Sequence, residues 1–425
     1  MPHVLIAGAG FAGLNAAKGL AGVADVRVTL LDATNHHLFQ PLLYQVAMAG
    51  LSPANIAQPI RSLLSRSGNV HVLQAELKSV NLAQKLAGTD FSQIAFDYLL
   101  LACGSTHSYF GHDDWEEYAP GLKTLEQATE IRRRVLTAYE TAERSDSTAD
   151  RARYLTFVVV GGGPTGVELA GAMAEMSRFT LAKDFRNIDP TSAHVLLLEA
   201  GPRILPSFRE KLAARAQRDL ERLGVQVLVG RAVTGVDARG VQVGNERIEA
   251  ATVLWAAGVE ASRIGQDAGL PVDRSGRVLV EPDLTAPGFP LVFVAGDMAA
   301  CRDPQGKLLP GTAPVAMQQG RYVARTIRGD LAGKPRRPFE FVDKGQLATI
   351  GRSRAIAQFG RHSFGGFLAW LLWLIVHIYY LTGFKNRLLV VLQWAWYYLW
   401  FHRGARLILQ KEWKSHDDRR PESKT

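Results

Sequence analysis

The feature that most constrains the fold of this 425-residue chain is a strand, glycine-turn, helix, strand unit that occurs twice. Each copy begins with an apolar run, VLIAG at residues 4–8 and FVVVG at residues 157–161, and enters a turn of spacing G-x-G-x-x-G. The glycines are Gly8, Gly10 and Gly13 in the first copy and Gly161, Gly163 and Gly166 in the second. After a helical stretch, a second apolar run ends on Asp32 or on Glu199. This context predicts two dinucleotide-binding units, whereas two unrelated glycine turns are the alternative.

The residue types suit the phosphate and ribose groups of a dinucleotide. The first glycine permits the tight bend, the second lets the backbone approach a pyrophosphate, and the third lets helix and strand pack closely. The acid at the end of the second strand would accept hydrogen bonds from a ribose diol. Glu199 would also repel a 2′-phosphate, which favours NAD over NADP, although the nearby Arg203 weakens that inference. The stretch from Gly166 to Glu199 is longer than its counterpart in the first copy, so we expect an insertion at about residues 179–193.

Three further runs point to the surroundings of the cofactors. YLLLACGST at residues 98–106 and TVLWAAGVE at residues 252–260 end in small-residue turns, where a backbone would pass close to a cofactor. LVFVAGDMA at residues 291–299 places Asp297 after a strand and a glycine. In flavoproteins built on this plan such an acid binds the ribityl chain of FAD, whereas a strand ending in a surface turn is the simpler interpretation.

Four sequence strings indicate which family of flavoproteins the chain resembles. They are NHHLFQPLLYQVA at residues 35–47, SPANIAQPIR at 52–61, GTAPVAMQQGRYVA at 311–324 and DKGQLATIGR at 343–352. With these strings the chain resembles the type II NADH:quinone oxidoreductases over nearly its whole length, including the aromatic segment at residues 366–387 and RGARLI at 403–408. The glycine motifs are shared with many flavoproteins, whereas the QQG string, the KG string and the aromatic tail are more specific.

The resemblance implies a role for each matching residue. FAD would be bound by Gly8, Gly10, Gly13, Asp32 and Asp297, and NADH by Gly161, Gly163, Gly166 and Glu199. Gln318 and Gln319 match the glutamines that line the quinone pocket beside the flavin, and Lys344 matches a lysine near the flavin and the mouth of that pocket. Glu168 matches an acid proposed to support proton delivery, although a solvated or salt-bridged helix residue stays an open alternative.

The segment before the two glutamines predicts a helix start that suits this role. Thr312 is expected as the N-cap and Pro314 in the first turn. The positive end of that helix would stabilise negative charge on a reduced flavin by about 0.3 to 1 kcal/mol. From the pattern alone, the glutamines are more simply polar residues on a helix; the matching string favours the functional interpretation.

Cysteine usage excludes several kinds of redox chemistry. Cys103 and Cys301 are the only two cysteines, so there is no C-x-x-C pair, zinc ribbon or iron–sulfur ligand set. No metal site is expected, and any redox chemistry requires an organic cofactor. Sulfide:quinone oxidoreductase, which shares the plan, is a less favoured alternative because sulfur transfer needs paired reactive cysteines.

The C-terminal segment from Gly351 to Thr425 differs from the rest of the chain in charge and aromatic content. It carries twelve Lys or Arg and four Asp or Glu, a net +8 of the chain's +9, and six of the eight tryptophans. Two apolar runs at residues 367–381 and 388–401 are flanked by Lys385, Arg387, Arg403 and Arg406. Aromatic residues within both runs and basic flanks favour helices lying in a membrane interface against anionic lipid. Core helices of a soluble domain, or a membrane span by the first run, are alternatives.

Together these features predict an α/β protein with two Rossmann-like domains and a C-terminal amphipathic membrane-anchoring segment. We expect an FAD-binding domain at residues 1–115 and 276–350, an NADH-binding domain at 116–275 and a C-terminal region at 351–425 with a disordered end. The expected enzyme is a non-proton-pumping NADH dehydrogenase that passes electrons through FAD to ubiquinone or menaquinone. We expect a peripheral homodimer on the cytoplasmic face of a bacterial inner membrane that does not bind nucleic acid. A non-catalytic flavin redox sensor is the alternative from another class.

Overall fold

The computed structural model describes residues 1–400 and 404–409. The helices are α1 Phe11–Leu20, α2 Leu43–Ala47, α3 Pro53–Ile56, α4 Ile60–Leu63, α5 Leu125–Arg144, α6 Thr148–Tyr154, α7 Pro164–Glu175, α8 Glu210–Arg222, α9 Ile264–Asp267, α10 Ala313–Leu331, α11 Phe367–Tyr380 and α12 Phe384–Trp400. The strands are β1 His3–Ala7, β2 Arg27–Asp32, β3 His36–Leu38, β4 Ala57–Pro59, β5 Val70–Gln74, β6 Leu77–Asn81, β7 Leu86–Thr89, β8 Gln93–Ala95, β9 Tyr98–Leu101, β10 Ser105–His107, β11 Thr156–Val160, β12 His194–Glu199, β13 Val225–Val229, β14 Val233–Asp237, β15 Gly240–Val243, β16 Glu246–Glu249, β17 Thr252–Trp255, β18 Val259–Ala261, β19 Val278–Leu279, β20 Thr285–Ala286, β21 Phe289–Val294, β22 Ala299–Ala300, β23 Gln346–Gly351, β24 Arg354–Phe359 and β25 His362–Gly366.

The chain divides into two compact units, each assembled from separate stretches. Unit 1 consists of Met1–Phe39, Ala57–Ser108 and Gly258–Gly345, and unit 2 of Gln40–Ile56, Tyr109–Ala257 and Gln346–Thr425. This division differs from the expected one at residues 40–56, which join unit 2 because α2 packs against α5 and α7. It also differs at residues 258–275, which join unit 1 because β18 pairs with β10. Residues 109–115 and 346–350, expected in the first domain, belong to unit 2, as does the C-terminal region that was expected to be separate.

Unit 1 is built on a six-stranded sheet with the order β20-β21-β9-β1-β2-β5. Its strands pair in parallel except for the edge strand β20, which is antiparallel to β21. Alternate residues of β1 enter two separate hydrophobic cores, Val4 and Ile6 on one face and Leu5 and Ala7 on the other. A parallel sheet covered on both faces needs such a continuous apolar run, which explains the sequence of β1.

Unit 2 contains a four-stranded parallel sheet with the order β13-β12-β11-β17. The strands β9-β1-β2-β5 of unit 1 have the same connectivity, and in both units an antiparallel three-stranded meander precedes the last of these strands. The duplication read from two glycine turns therefore extends over an entire sheet and meander. This architecture confirms the prediction of an α/β chain with two Rossmann-like units.

The C-terminal part of unit 2 consists of an antiparallel sheet, β23-β24-β25, followed by α11 and α12. Gly383, at φ +87°, lies in the short turn between the two helices. Both helices expose large apolar side chains: Leu368, Leu371, Ile375 and Tyr379 on α11, and Phe384, Leu388, Leu389, Val391, Leu392, Trp396 and Leu399 on α12. Within residues 1–400, none of the helices reaches the length and apolar character that crossing a bilayer requires. The predicted end of the second run at Phe401, the basic residue Arg403 and the tail beyond residue 409 lie outside the described residues.

Candidate functional sites

The first glycine turn lies between β1 and α1 and is shaped by close backbone contacts. Gly8 has φ +99°, and a Cβ there would lie 2.2 Å from the carbonyl oxygen of Ala102, at the end of β9. A Cβ at Gly13 would lie 1.8 Å from the carbonyl oxygen of Gly8, whereas one at Gly10 would meet no atom within 4 Å. The first and third glycines are therefore required by packing, and the second faces open space at the start of α1.

Asp32 lies at the end of β2 beside this turn. Its carboxylate accepts hydrogen bonds from the backbone N–H of Ala9 at 2.6 Å and from the N–H and hydroxyl of Thr34 at 2.8 and 2.7 Å. A carboxylate has about four acceptor positions, so these three bonds orient it and leave about one position for a ribose hydroxyl. The closing acid is thus fixed against the glycine turn.

The second turn, between β11 and α7, has the same geometry. Gly161 has φ +108° and a Cβ there would lie 2.6 Å from the backbone of Ala256, one at Gly166 would lie 1.8 Å from the carbonyl oxygen of Gly161, and one at Gly163 would meet nothing within 4 Å. Glu199 accepts the N–H of Gly162 at 2.6 Å and that of Gly201 at 2.6 Å. Gly162 is the counterpart of Ala9, so the two acids make equivalent contacts.

Arg203 points its guanidinium at main-chain carbonyl oxygens rather than at the acid. It donates to Leu205 and Phe208 at 3.2 and 2.9 Å, and to Pro206 at 2.9 Å. Arg203 could have attracted the 2′-phosphate of NADP, but its guanidinium is occupied by these bonds. Both turns, each with an open second glycine, a helix N-terminus and a fixed acid, fit the pyrophosphate and ribose of a dinucleotide.

The remaining predicted residues of unit 1 lie around the start of α10. That helix has Thr312 as its N-cap and Pro314 in its first turn, as predicted, although the threonine side chain makes no capping hydrogen bond. Gln319, 1% exposed, accepts the N–H of Gly296 at 2.7 Å and so holds the turn that carries Asp297. The carboxylate of Asp297 accepts the hydroxyl proton of Ser105 at 2.6 Å.

Gln318 holds a different segment. Its carboxamide exchanges two hydrogen bonds of 3.0 Å with the backbone of Val342, two residues before the exposed Lys344. The two adjacent glutamines therefore fix two separate loops of unit 1, one bearing Asp297 and the other bearing Lys344. Sequence pattern could not distinguish this arrangement from a simple polar helix face.

Unit 2 contains an apolar cavity of about 810 Å³ next to α7. Its walls come from four stretches distant in sequence: Tyr44, Gln45, Met48 and Gly50; Glu168, Ala172 and Glu175; residues 349–352; and side chains of α11 and α12 from Trp370 to Leu399. Four of the lining residues, Ile375, Tyr379, Val391 and Leu399, are also 44 to 69% exposed. The cavity therefore opens at the exposed apolar faces of the two C-terminal helices.

Glu168 lies on this cavity wall, in α7, two residues after Gly166 of the second glycine turn. Burial raises the pKa of its carboxyl from 4.5 to about 8, opposed by a long hydrogen bond of 3.5 Å from the N–H of Thr349. The side chain of Glu168 is partly exposed, but it faces an apolar cavity rather than bulk water. Such a cavity stabilises a carboxylate poorly, so the pKa stays raised. A carboxyl group that is protonated near neutral pH can deliver a proton inside an otherwise apolar space.

Glu175 is a cavity residue that sequence reasoning missed. It is 5% exposed, accepts the hydroxyl proton of Tyr397 at 3.0 Å and accepts the N–H of Arg352. It lies about two helical turns after Glu168, so both carboxyl groups share one face of α7. That spacing was visible in the sequence, but a single glutamate at the end of a helix carries no signal of its own.

Of the basic residues that flank the C-terminal helices, some contact the protein and one is exposed to solvent. Arg387 donates to the carbonyl oxygen of Leu381 at 2.7 Å, and Arg406 makes an ion pair with Asp184 in the predicted insertion. Lys385 is exposed. Burial lowers the pKa of His377 in α11 to about 4, so that helix carries no charge at neutral pH.

Both cysteines are unpaired thiols within unit 1. Burial raises the pKa of Cys103 to about 12, so its thiol is protonated and a poor nucleophile. In the described part of the chain, no three His, Cys, Asp or Glu side chains are grouped as ligands of a metal ion.

Two family models match the chain. The model described as pyridine nucleotide-disulphide oxidoreductase matches residues 2–320, and the one described as NDH2 C-terminal domain matches residues 344–402. Two proteins of Mycobacterium tuberculosis named type II NADH:quinone oxidoreductase are 46% and 44% identical to it. In each case the alignment covers 96% of this chain, and it covers 91% and 89% of the respective relatives.

Solved structures share the fold at lower identity. NDH2 from Plasmodium falciparum in complex with NADH aligns with a TM-score of 0.86 at 21% identity, over 96% of this chain and 100% of the other. The sulfide:quinone oxidoreductase of Aquifex aeolicus aligns with a TM-score of 0.74 at 19% identity, over 91% and 92%. At these identities the likeness extends to the fold alone.

Proposed function

The chain belongs to the type II NADH:quinone oxidoreductases, enzymes that use FAD to oxidise NADH and reduce a quinone, and from that premise we propose which of its residues perform each part of the reaction. One NADH, one proton and one quinone give NAD⁺ and a quinol. A bound FAD would supply the two-electron chemistry that connects oxidation of NADH with reduction of the quinone. The protein itself binds and orients the partners, excludes water and supplies the proton.

Unit 1 is the FAD-binding domain in this proposal. Its turn at Gly8, Gly10 and Gly13 holds the pyrophosphate, Asp32 the ribose and Asp297 the ribityl chain. The support is the open space at Gly10, the fixed carboxylate of Asp32 and the anchoring of the Asp297 turn by Gln319. Gln319 and Gln318 thereby act on the flavin and quinone partly through the loops they hold, and Lys344 lies on one of those loops.

Unit 2 is the NADH-binding domain, with Gly161, Gly163 and Gly166 at the pyrophosphate and Glu199 at the ribose. The carboxylate of Glu199 carries the preference for NADH, since Arg203 is engaged by three carbonyl oxygens and is poorly placed to attract a 2′-phosphate. The same unit supplies the cavity for the quinone. The observation that carries this assignment is an apolar cavity that contains a carboxyl of raised pKa and opens beside exposed apolar helices.

Glu168 supplies a proton to the reduced quinone. A quinol forms only when the oxygens take up protons, and an apolar cavity offers few donors. The raised pKa of about 8 keeps Glu168 protonated at neutral pH, and its carboxylate is near enough in proton affinity to be reloaded between turnovers.

The C-terminal helices seat the enzyme on lipid, at the cytoplasmic face of the bacterial inner membrane. Their exposed leucines, aromatic residues and Lys385 have the composition of interfacial helices that lie on anionic lipid. Because the cavity opens beside these side chains, a lipid-soluble quinone would enter it without crossing water. The expected homodimer stays a prediction, which light scattering of the purified protein can check.

An anaerobic titration tests the proposed function. We expect the yellow protein to bleach with one equivalent of NADH per flavin, to bleach poorly with NADPH, and to regain its colour on addition of a short-chain ubiquinone or menaquinone. A colourless protein that takes up no flavin would contradict the proposal, as would a bleached protein that no quinone reoxidises. Bleaching by sulfide instead of NADH would support sulfide:quinone oxidoreductase chemistry.

A further inference from the structure

Arg132 is a buried arginine whose hydrogen bonds reach two distant parts of unit 2. It lies in the middle of α5 and is 5% exposed. Its guanidinium donates twice to the carbonyl oxygen of Val46, at 2.8 and 2.6 Å, and once each to those of Leu51 and Ala405, at 3.1 Å. Burying a guanidinium is costly unless its donors are paired. Because the donors of Arg132 are paired with carbonyl oxygens of other segments, we expect the side chain to hold those segments in place.

The neighbouring Arg133 and Arg134 behave differently. Both make ion pairs of 2.7 Å with the partly buried Glu130 of α5, within one helical turn. Arg134 also donates to the carbonyl oxygens of Tyr118 and Glu117, at 3.0 and 2.8 Å. Of these three arginines, Arg132 is the one that bonds the α2 segment and the segment after α12.

The first segment that Arg132 holds is the C-terminal end of α2. Val46 lies in the last turn of this short helix, where carbonyl groups lack partners within the helix. The turn that follows folds back on Gln45, whose carbonyl oxygen accepts the N–H groups of Gly50 and Leu51 at 2.7 and 3.1 Å. A positive charge at this end of a helix is favourable, so Arg132 fixes both the helix end and the turn.

This segment is one wall of the cavity. Tyr44, Gln45, Met48 and Gly50 all line it. Gln45 joins the wall to α12, since its side-chain oxygen accepts the indole N–H of Trp394 at 2.7 Å and its amide donates to the hydroxyl of Tyr44 at 3.0 Å. The position of α2 therefore determines where the carboxamide of Gln45 contacts Trp394 of α12.

The second segment held by Arg132 lies beyond α12. Ala405 accepts one of the guanidinium hydrogen bonds, and the adjacent Arg406 makes the ion pair with Asp184. One side chain thus connects the end of α2 with the segment that follows α12 in the chain. The hydrogen bonds of Arg132 described above involve neither the second glycine turn nor Glu199.

We propose that Arg132 is a positioning residue for the quinone, which fixes the α2 wall of the cavity relative to the C-terminal helices; this inference rests on the function proposed above. Without its four hydrogen bonds, α2 loses the anchor at its C-terminal end and the cavity loses its defined width. Binding of the acceptor weakens, while reduction of the flavin by NADH continues.

The test compares Arg132→Met and Arg132→Lys with the matched control Arg133→Met, on the adjacent residue of the same helix, which leaves Glu130 paired with Arg134. For Arg132→Met we expect the KM for a short-chain ubiquinone to rise by about tenfold, equivalent to about 1.4 kcal/mol, with kcat changed by less than about threefold. The rate of anaerobic bleaching by NADH and turnover with ferricyanide, a small acceptor that needs no apolar cavity, should stay within about twofold of the wild type. Arg132→Lys should show a smaller rise in KM than Arg132→Met, because its ammonium group keeps the charge and can still donate to one of the two segments, although it cannot span both as the planar fork does.

Two results would overturn the inference. One is a quinone KM in both Arg132 variants equal to that of Arg133→Met. The other is a parallel loss of bleaching, ferricyanide turnover and quinone turnover, which would show a general structural role. If Arg132→Met fails to fold, Arg132→Lys decides the question alone. Failure of the wild type to reduce any quinone would instead contradict the proposed function itself.

Discussion

Glu168 is the residue whose chemistry depends most on its surroundings. Because its pKa is raised to about 8 by burial, the acid form predominates at neutral pH, and the rate of quinone reduction should fall by about tenfold per pH unit well above pH 8. Glu168→Gln should reduce the rate and remove this dependence on pH, while bleaching by NADH persists. The measurement is a pH profile of quinone reduction; an unchanged profile in the variant would contradict the assignment.

The same pKa predicts a change in stability with its sign. Between the unfolded pKa of 4.5 and about 8, the folded protein keeps a proton that the unfolded chain has lost. The free energy of unfolding therefore falls as pH rises through this window. In urea titrations at pH 5 and pH 8, Glu168→Gln should show a smaller fall than the wild type; an equal fall would indicate that the carboxyl titrates normally.

Glu199 should govern the choice of nicotinamide cofactor. Glu199→Gln removes the negative charge that repels a 2′-phosphate while keeping one oxygen as an acceptor, so the preference for NADH over NADPH should drop by about tenfold. The ratio of kcat/KM for the two cofactors measures this. Glu246→Gln, at an exposed ion pair with Arg231, is the matched control and should leave the ratio unchanged.

At the scale of secondary-structure elements, the glycine turns separate packing from binding. In Gly166→Ala the new methyl would lie 1.8 Å from the carbonyl oxygen of Gly161, so we expect loss of at least about 2 kcal/mol in the free energy of unfolding. Gly163→Ala meets no atom within 4 Å and should fold normally, yet raise the KM for NADH by crowding the pyrophosphate. Thermal unfolding and NADH titrations distinguish the two; equal stability of both variants would contradict the packing account.

The C-terminal helices carry a prediction about lipid. Leu368 and Leu392 are 69% and 57% exposed, and burying each in a bilayer interface would contribute about 1.5 to 3 kcal/mol. The double variant Leu368→Glu/Leu392→Glu should fail to sediment with vesicles of phosphatidylglycerol and phosphatidylcholine. Phe91→Glu, at an exposed loop of unit 1, is the control and should sediment like the wild type. Retained binding of the double variant would place the lipid contact elsewhere.

Elements with a strong local signal could be predicted from the sequence. The β1 and β11 runs, both glycine turns and the start of α10 at Thr312 all follow from apolar patterning and backbone chemistry that act over a few residues. The contacts of Gln318 and Gln319 could not be predicted, because their partners Val342 and Gly296 lie in other segments, 24 and 23 residues away. Arg132 carries no local signal of its role for the same reason, since its partners Val46 and Ala405 belong to other segments.

At the scale of the whole molecule, the duplicated plan was readable but the division of the chain was not. Residues 40–56 belong to unit 2 because α2 packs against α5 and α7, and no local sequence pattern predicts this packing. The cavity was equally hidden, since its walls come from four separate stretches and apolar residues lining a cavity resemble core residues. Composition did mark the tail, where a net +8 and six tryptophans distinguish the segment from Gly351 to Thr425.

We propose that the acceptor reaches the cavity through lipid beside the exposed C-terminal helices. The most direct measurement is NADH oxidation by the wild type and by Leu368→Glu/Leu392→Glu, each with a long-chain quinone confined to vesicles and with a water-soluble short-chain quinone. We predict that the double variant keeps the rate with the soluble quinone and loses at least about 90% of the rate with the confined one. Equal rates of the two proteins with the confined quinone would contradict the account.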